Sequence, residues 1–263
     1  MYESQPFPDN YTDASFLEEL KKNVNTQLYD LRTVIHGSGV VSQQLSCICI
    51  FVCLFIYMHN NDVTPETMLL LSLVGFVASV AIMRKLENTH VDLFSVVHIS
   101  LLVFGVSPIL QTLTITISTD TIYAMTTGML LANILFHDYG AGVAIVSRAI
   151  SLNTSMFAAV CLASRLPSSV HGYVTVMLAV QIFALFPDLR KAVKRWHHKA
   201  DILMTELLVL IALLLLLPIT LLGGLALVIA HLSITFLFPL WMIKLQRLKN
   251  NIHGPWDEAM IIR

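Results

Sequence analysis

A chain of 263 residues that is 56% hydrophobic, only 13% charged and has a mean hydropathy of +0.74 is much greasier than a soluble domain, in which about a quarter of residues are charged. The formal net charge of -1 gives a nucleic-acid partner no electrostatic support. Little sequence is left over for a soluble catalytic domain.

The first 37 residues are polar, with no secretory signal peptide legible before the apolar sequence begins. Within them Ser15-x-x-Glu18 has the capping-box pattern, which predicts a helix start. Phe16, Leu17, Leu20, Val24, Leu28 and Leu31 recur at helical spacing, so this segment is predicted to be an amphipathic helix. Such a helix lies in the membrane interface, packs beneath a bundle or docks a partner.

Eight apolar stretches follow, near 38–58, 66–83, 94–116, 121–137, 141–164, 170–187, 204–222 and 224–243. At 1.5 Å of rise per residue each can cross a hydrocarbon core about 30 Å thick. Without period-two alternation they must be helices, because lipid offers the backbone no hydrogen-bond partner. The expected fold is therefore all-α, a polytopic membrane bundle of about eight transmembrane helices. Its three parts are an N-terminal segment over 1–37, a membrane domain over 38–243 and a C-terminal tail over 244–263.

Charge sets the expected orientation. With these spans, fifteen of the sixteen Lys and Arg residues fall on one face and Arg165 alone on the other. The positive-inside rule assigns the crowded face, with both termini, to the cytosol. Cys47, Cys49, Cys53 and Cys161 all lie in apolar spans and read as small buried hydrophobes rather than disulfide partners or metal ligands. Gly223-Gly224 reads as a tight turn between the last two spans, with Pro218 able to kink the seventh. No fixed-period repeat and no matched pair of interrupted helices is legible, which weakens a transporter reading.

Ionisable groups near hydrocarbon are costly and each is a candidate for function. Asp120, beside Ser118, Thr119 and Thr121, reads as an N-cap for a helix beginning at Thr121. The turn His137-Asp138-Tyr139 is followed ten residues after Asp138 by Arg148, placed by this reading roughly 9–12 Å into the fifth helix. Two roles stand for Arg148: pairing with Asp138 or snorkelling to the cytosol, or gripping a lipid phosphate with its planar fork. Asp138 and Arg148 are accordingly the lipid-headgroup candidates. Asn133, Gln181 and His231 read as interhelical hydrogen bonders, Glu206 as the acidic start of the seventh span and Arg165 as a contact to phosphates of the far leaflet.

In the tail, Trp256 follows the turn His253-Gly254-Pro255 and precedes Asp257 and Glu258. It serves as an interfacial anchor, or, with His253, Asp257 and Glu258, as a docking motif for another subunit. No catalytic residue, metal or cofactor is assigned: the sequence has no phosphate-binding loop, no His-Glu-x-x-His and no nucleophile elbow.

Phe7-Pro8-Asp9-Asn10-Tyr11, Ser118-Thr119-Asp120-Thr121-Ile122-Tyr123, Asp138-Tyr139-Gly140-Ala141 and Cys161-Leu162-Ala163-Ser164-Arg165-Leu166-Pro167 carry a resemblance, as do Gln181-Ile182-Phe183-Ala184-Leu185 and Asn251-Ile252-His253-Gly254-Pro255-Trp256-Asp257-Glu258-Ala259. Together they resemble the C-subunit family of phosphatidylinositol N-acetylglucosaminyltransferase. The resemblance implies a multi-pass subunit of the endoplasmic reticulum membrane with a role in glycosylphosphatidylinositol anchor biosynthesis. It also implies a separate catalytic subunit as partner, which moves N-acetylglucosamine from UDP-N-acetylglucosamine to phosphatidylinositol. On this reading the chain is a non-catalytic scaffold that presents the lipid acceptor. The competing class is a small-solute or lipid transporter, which would need more ionisable residues at mid-membrane than these spans hold.

Overall fold

The computed structural model describes residues 8, 11, 21–22, 28–87, 93–114, 116–139, 148–248 and 252–253. Over these residues the chain is almost entirely helical. The helices are α1 Leu31–His59, α2 Pro65–Glu87, α3 Leu93–Leu113, α4 Thr119–Phe136, α5 Arg148–Ala163, α6 Ser169–Trp196, α7 His198–Leu216 and α8 Leu221–Gln246. Four of them, α1, α2, α6 and α8, are long and apolar enough to cross a membrane. The other four are shorter over the described residues or carry polar groups such as Asn133 in α4 and Asp201 and Glu206 in α7.

Several boundaries differ from the hydropathy reading, for local reasons. α1 starts seven residues before the predicted span, because its first turns carry Arg32, Thr33 and His36 outside the apolar window. α7 starts at His198, so Glu206 lies beyond its first turn rather than at its start. Ser118, not Asp120, caps α4: its Oγ accepts from the Thr121 N–H at 3.3 Å and Asp120 falls in the first turn, where its charge suits the helix dipole. Between α7 and α8 the chain turns over 217–220, where Pro218 follows the helix end and Thr220 caps the next by accepting from Gly223 N–H at 3.4 Å. Gly223 and Gly224 are inside α8. A Cβ at Gly224 would sit 2.7 Å from Leu217 Cδ2, so the glycines let the hairpin close rather than forming its turn. The predicted turn after the first span does form, with Asn61 in the left-handed region at φ 61°.

Two helices widen at the same tripeptide. α6 carries a π segment at Val180–Leu185 and α8 another at Ser233–Leu237, each running into Leu-Phe-Pro, at Pro187 and Pro239. A proline has no N–H for the carbonyl four residues back and crowds it, and a wider turn relieves both defects without unwinding the helix. The sequence reading missed this matched pair, although neither helix is broken as a transporter's half-helices are.

The apolar core sits where α1, α4, α5 and α6 meet. Phe51, Phe55, Met58, Leu130, Leu162, Val174, Leu178 and Phe183 are buried there, with Phe51 and Phe183 edge to face at 5.4 Å. Ala158, Ala159 and Ala163 are completely buried on α5, and small residues let neighbouring backbones approach where lipid supplies no hydrophobic drive. α2 and α3 join more loosely, leaving an apolar cavity of about 340 Å³ against α6 whose wall includes the Gln181–Ser72 hydrogen bond of 2.8 Å.

The two ends of the chain meet. Lys21 and Lys22 pair antiparallel with His253 and Ile252, and Tyr29 N–H reaches Gln246 Oε1 at 3.3 Å. The helix predicted from Ser15 therefore does not run through Lys21–Lys22, whose backbone bonds to the tail instead. Its predicted end does not form either: Leu28 is exposed on non-helical chain and Leu31 opens α1; the rest of that predicted helix lies outside the described residues, as do Trp256, Asp257 and Glu258.

Candidate functional site

The end of α4 opens the site. His137 leaves the helix with extended backbone, and Asp138 and Tyr139 follow it beside the Phe186–Trp196 part of α6. There Asp138 takes Lys191 at 2.7 Å while Arg148, at the start of the described part of α5, takes Asp188 at 2.8 Å. The Asp138–Arg148 pair, one of the roles open to Arg148, is thus replaced by two pairs that both lock onto α6. The two candidates do come together, lining one small crevice with His137, Ser151 and Pro187. Arg148 is largely exposed, so it is not a cation stranded in the bundle.

The stranded cation is Arg190, only 2% exposed. It donates to His137 Nε2 at 2.5 Å and to Gln44 Oε1 at 3.4 Å. A guanidinium can only donate, so Nε2 must be the bare nitrogen and His137 keeps its proton on Nδ1. That nitrogen faces Ser151 Oγ at 3.4 Å. Asn133 completes the layer: its Oδ1 accepts from Gln44 Nε2 at 2.7 Å, and its Nδ2 donates to Ser151 O at 2.8 Å and Oγ at 2.9 Å. Four helices are tied by these bonds. Among the described residues no carboxylate lies within ion-pair distance of Arg190.

The same polar level continues through α1 into α7 and α8. Gln43 Nε2 donates to Asp201 Oδ1 at 2.9 Å and Thr205 Oγ1 at 2.7 Å. Ser42 meets His231 Nδ1 at 3.1 Å, and His231 Nε2 stands 3.6 Å from Glu206. Such bonds average roughly 0.6 kcal/mol each in membrane proteins, so their value is more in register than in stability.

Tyr139 is fixed by donating its hydroxyl to Ile134 O at 2.6 Å. Burial pushes its phenol up to about 12, against the opposing pull of Arg190, so it stays a neutral wall of the site. Among the described residues no group of three His, Cys, Asp or Glu side chains is placed to hold a metal.

Sequence reasoning named Asn133 and His231 as interhelical hydrogen bonders and both are. It missed Arg190, Gln43 and Gln44. The legible signal was the consecutive Gln43-Gln44 inside an apolar run, which lipid tolerates only where partners wait. Arg190 was hidden in the basic stretch 190–199, where it counted as one more orientation charge. Arg165, expected to contact phosphates of the far leaflet, is engaged by backbone carbonyls instead. It donates to Thr114 O at 2.8 Å and Ile117 O at 2.9 Å, in the segment just beyond α3.

The profile of a family described as phosphatidylinositol N-acetylglucosaminyltransferase matches residues 1–257. The human phosphatidylinositol N-acetylglucosaminyltransferase C-subunit is 45% identical over 271 aligned residues, covering 99% of this chain and 91% of that protein. A putative C-subunit from Dictyostelium discoideum is 39% identical, covering 100% of this chain and 79% of its own length. The GPI2 subunit of Schizosaccharomyces pombe is 35% identical, covering 99% and 85%. No solved structure matches the chain.

Proposed function

This chain belongs to the phosphatidylinositol N-acetylglucosaminyltransferase family, and on that premise we propose that it is the non-catalytic membrane subunit of such a complex. In this reading all eight helices cross the endoplasmic reticulum membrane, with both termini in the cytosol. A separate catalytic subunit holds UDP-N-acetylglucosamine, and the bundle presents phosphatidylinositol to it.

The observation that carries the reading is the polar layer around Arg190, gathered on four helices at the end of the bundle where the basic residues collect. An apolar bundle that only filled membrane would have no use for a buried guanidinium there, with no carboxylate in ion-pair contact among the described residues. Holding two reactants in register can supply about 7–11 kcal/mol of a barrier in favourable cases. Asp138 and Arg148 serve by clamping Lys191 and Asp188, which fixes the basic turn of α6 beneath a headgroup. The nearly uncovered apolar faces of α2 and α8 suit neighbouring subunits or lipid, and His253, Trp256, Asp257 and Glu258 are proposed as a tail that docks another subunit.

The test removes this chain from membranes that keep the catalytic subunit anchored, then measures transfer of N-acetylglucosamine to phosphatidylinositol. Loss of transfer, restored by adding the chain back, is expected. Full transfer in its absence would refute the proposal.

A further inference from the structure

Beside Arg190 lies a cleft of about 320 Å³ lined by Val40, Asp138, Tyr139, Arg190, Lys191, Lys194 and Arg195. Four cations face one carboxylate there. Asp138 neutralises Lys191, and Glu87 takes Arg195 through its Nε at 2.9 Å. Arg190 and Lys194 are left without a carboxylate in ion-pair contact among the described residues. The two differ in a useful way: Lys194 is exposed and long in reach, whereas Arg190 is buried and held on neutral acceptors.

A buried guanidinium held on neutral acceptors, with no carboxylate in ion-pair contact among the described residues, keeps most of its attraction for an added anion. Its planar fork favours phosphate oxygens, while a lysine ammonium adds a point charge from the rim. Depth then selects the source. α6 runs directly from its apolar span into this basic turn, and Trp196, 64% exposed, follows Arg195 at the level where interfacial aromatics sit. Val40 and Tyr139 form walls that suit the edge of the lipid rather than open water.

We propose that this cleft binds a phosphate group, and that the phosphate is that of an anionic phospholipid headgroup, held between Arg190 and Lys194. The inference rests on the lipid-presenting reading and supplies the seat that reading lacked.

The test uses the full chain in its complex, placed in nanodiscs of phosphatidylcholine with a photoreactive phosphatidylinositol, and follows crosslinking to the chain as the inositol lipid is titrated. Lys194→Gln is expected to weaken binding about tenfold, the loss of one charge-assisted contact, and Lys194→Glu to weaken it further. Lys244→Gln, which removes an exposed cation outside the cleft, should bind as wild type. Co-purification of the other subunits should be unchanged in all three. Wild-type crosslinking in both Lys194 variants, with assembly intact, would overturn the cleft while leaving the scaffold reading in place. Competition by UDP or inorganic phosphate as strong as by unlabelled phosphatidylinositol would overturn the lipid source. Failure of the wild-type chain to co-purify with a transferase subunit would instead overturn the scaffold reading.

Discussion

α1 and α6 are the inside of this molecule and α2 and α8 the outside, although all four are apolar enough to span a membrane. In α1 and α6, 56% and 44% of the most apolar window is buried; in α2 and α8 the share is 11%. The inner pair differs in carrying Gln43, Gln44 and Arg190, which must be answered by Asn133, His137, Asp201 and Thr205 on other elements. The outer pair offers mostly apolar side chains, which lipid satisfies as well as protein does. Length and greasiness therefore decide that a helix crosses, whereas a few polar atoms decide which helix it must touch.

The sharpest way to break that contrast is Arg190→Ala. The substitution strips Gln44 Oε1 and His137 Nε2 of their donor and leaves a void in a buried site. A loss of about 3 kcal/mol is expected, seen as a lower unfolding temperature of the purified chain in detergent. An unchanged temperature would show that the polar layer does not hold the inner helices. Next in size is Gly224→Val, whose Cβ would meet Leu217 Cδ2 at 2.7 Å and Cγ at 3.3 Å; about 2 kcal/mol of overpacking strain is expected in the same melt. Asn133→Leu leaves Gln44 Nε2 without its acceptor and should cost about 1 kcal/mol. Smallest of all, Leu222→Ala on the outer face of α8 should stay within about 0.5 kcal/mol of wild type. If Leu222→Ala melts as early as Asn133→Leu, the inside and outside helices are not different in kind.

The same contrast explains what was readable in the chain. Apolar runs marked where the helices lie, though α6 runs nine residues beyond its predicted end into the basic turn, and turn chemistry at Asn60–Asp62 was correctly placed because both are local properties. Cap assignments failed where two suitable residues compete, as with Ser118 and Asp120, since only backbone geometry chooses between them. The Asp138–Arg148 pairing failed for a different reason. Asp188 and Lys191 lie one turn apart on α6 and meet both candidates from a helix some forty residues or more further along, a proximity no spacing rule contains. Arg190 escaped for a third reason: a basic residue beside four others reads as topology, and only burial separates it from Lys194 and Arg195.

The most direct measurement is the dependence of N-acetylglucosamine transfer on phosphatidylinositol concentration in complexes carrying Lys194→Gln or Lys244→Gln. The account expects Lys194→Gln alone to raise the KM for the lipid about tenfold, with kcat and the KM for UDP-N-acetylglucosamine held at wild-type values. A lipid KM equal in the two variants, or a change confined to the sugar donor, would contradict it.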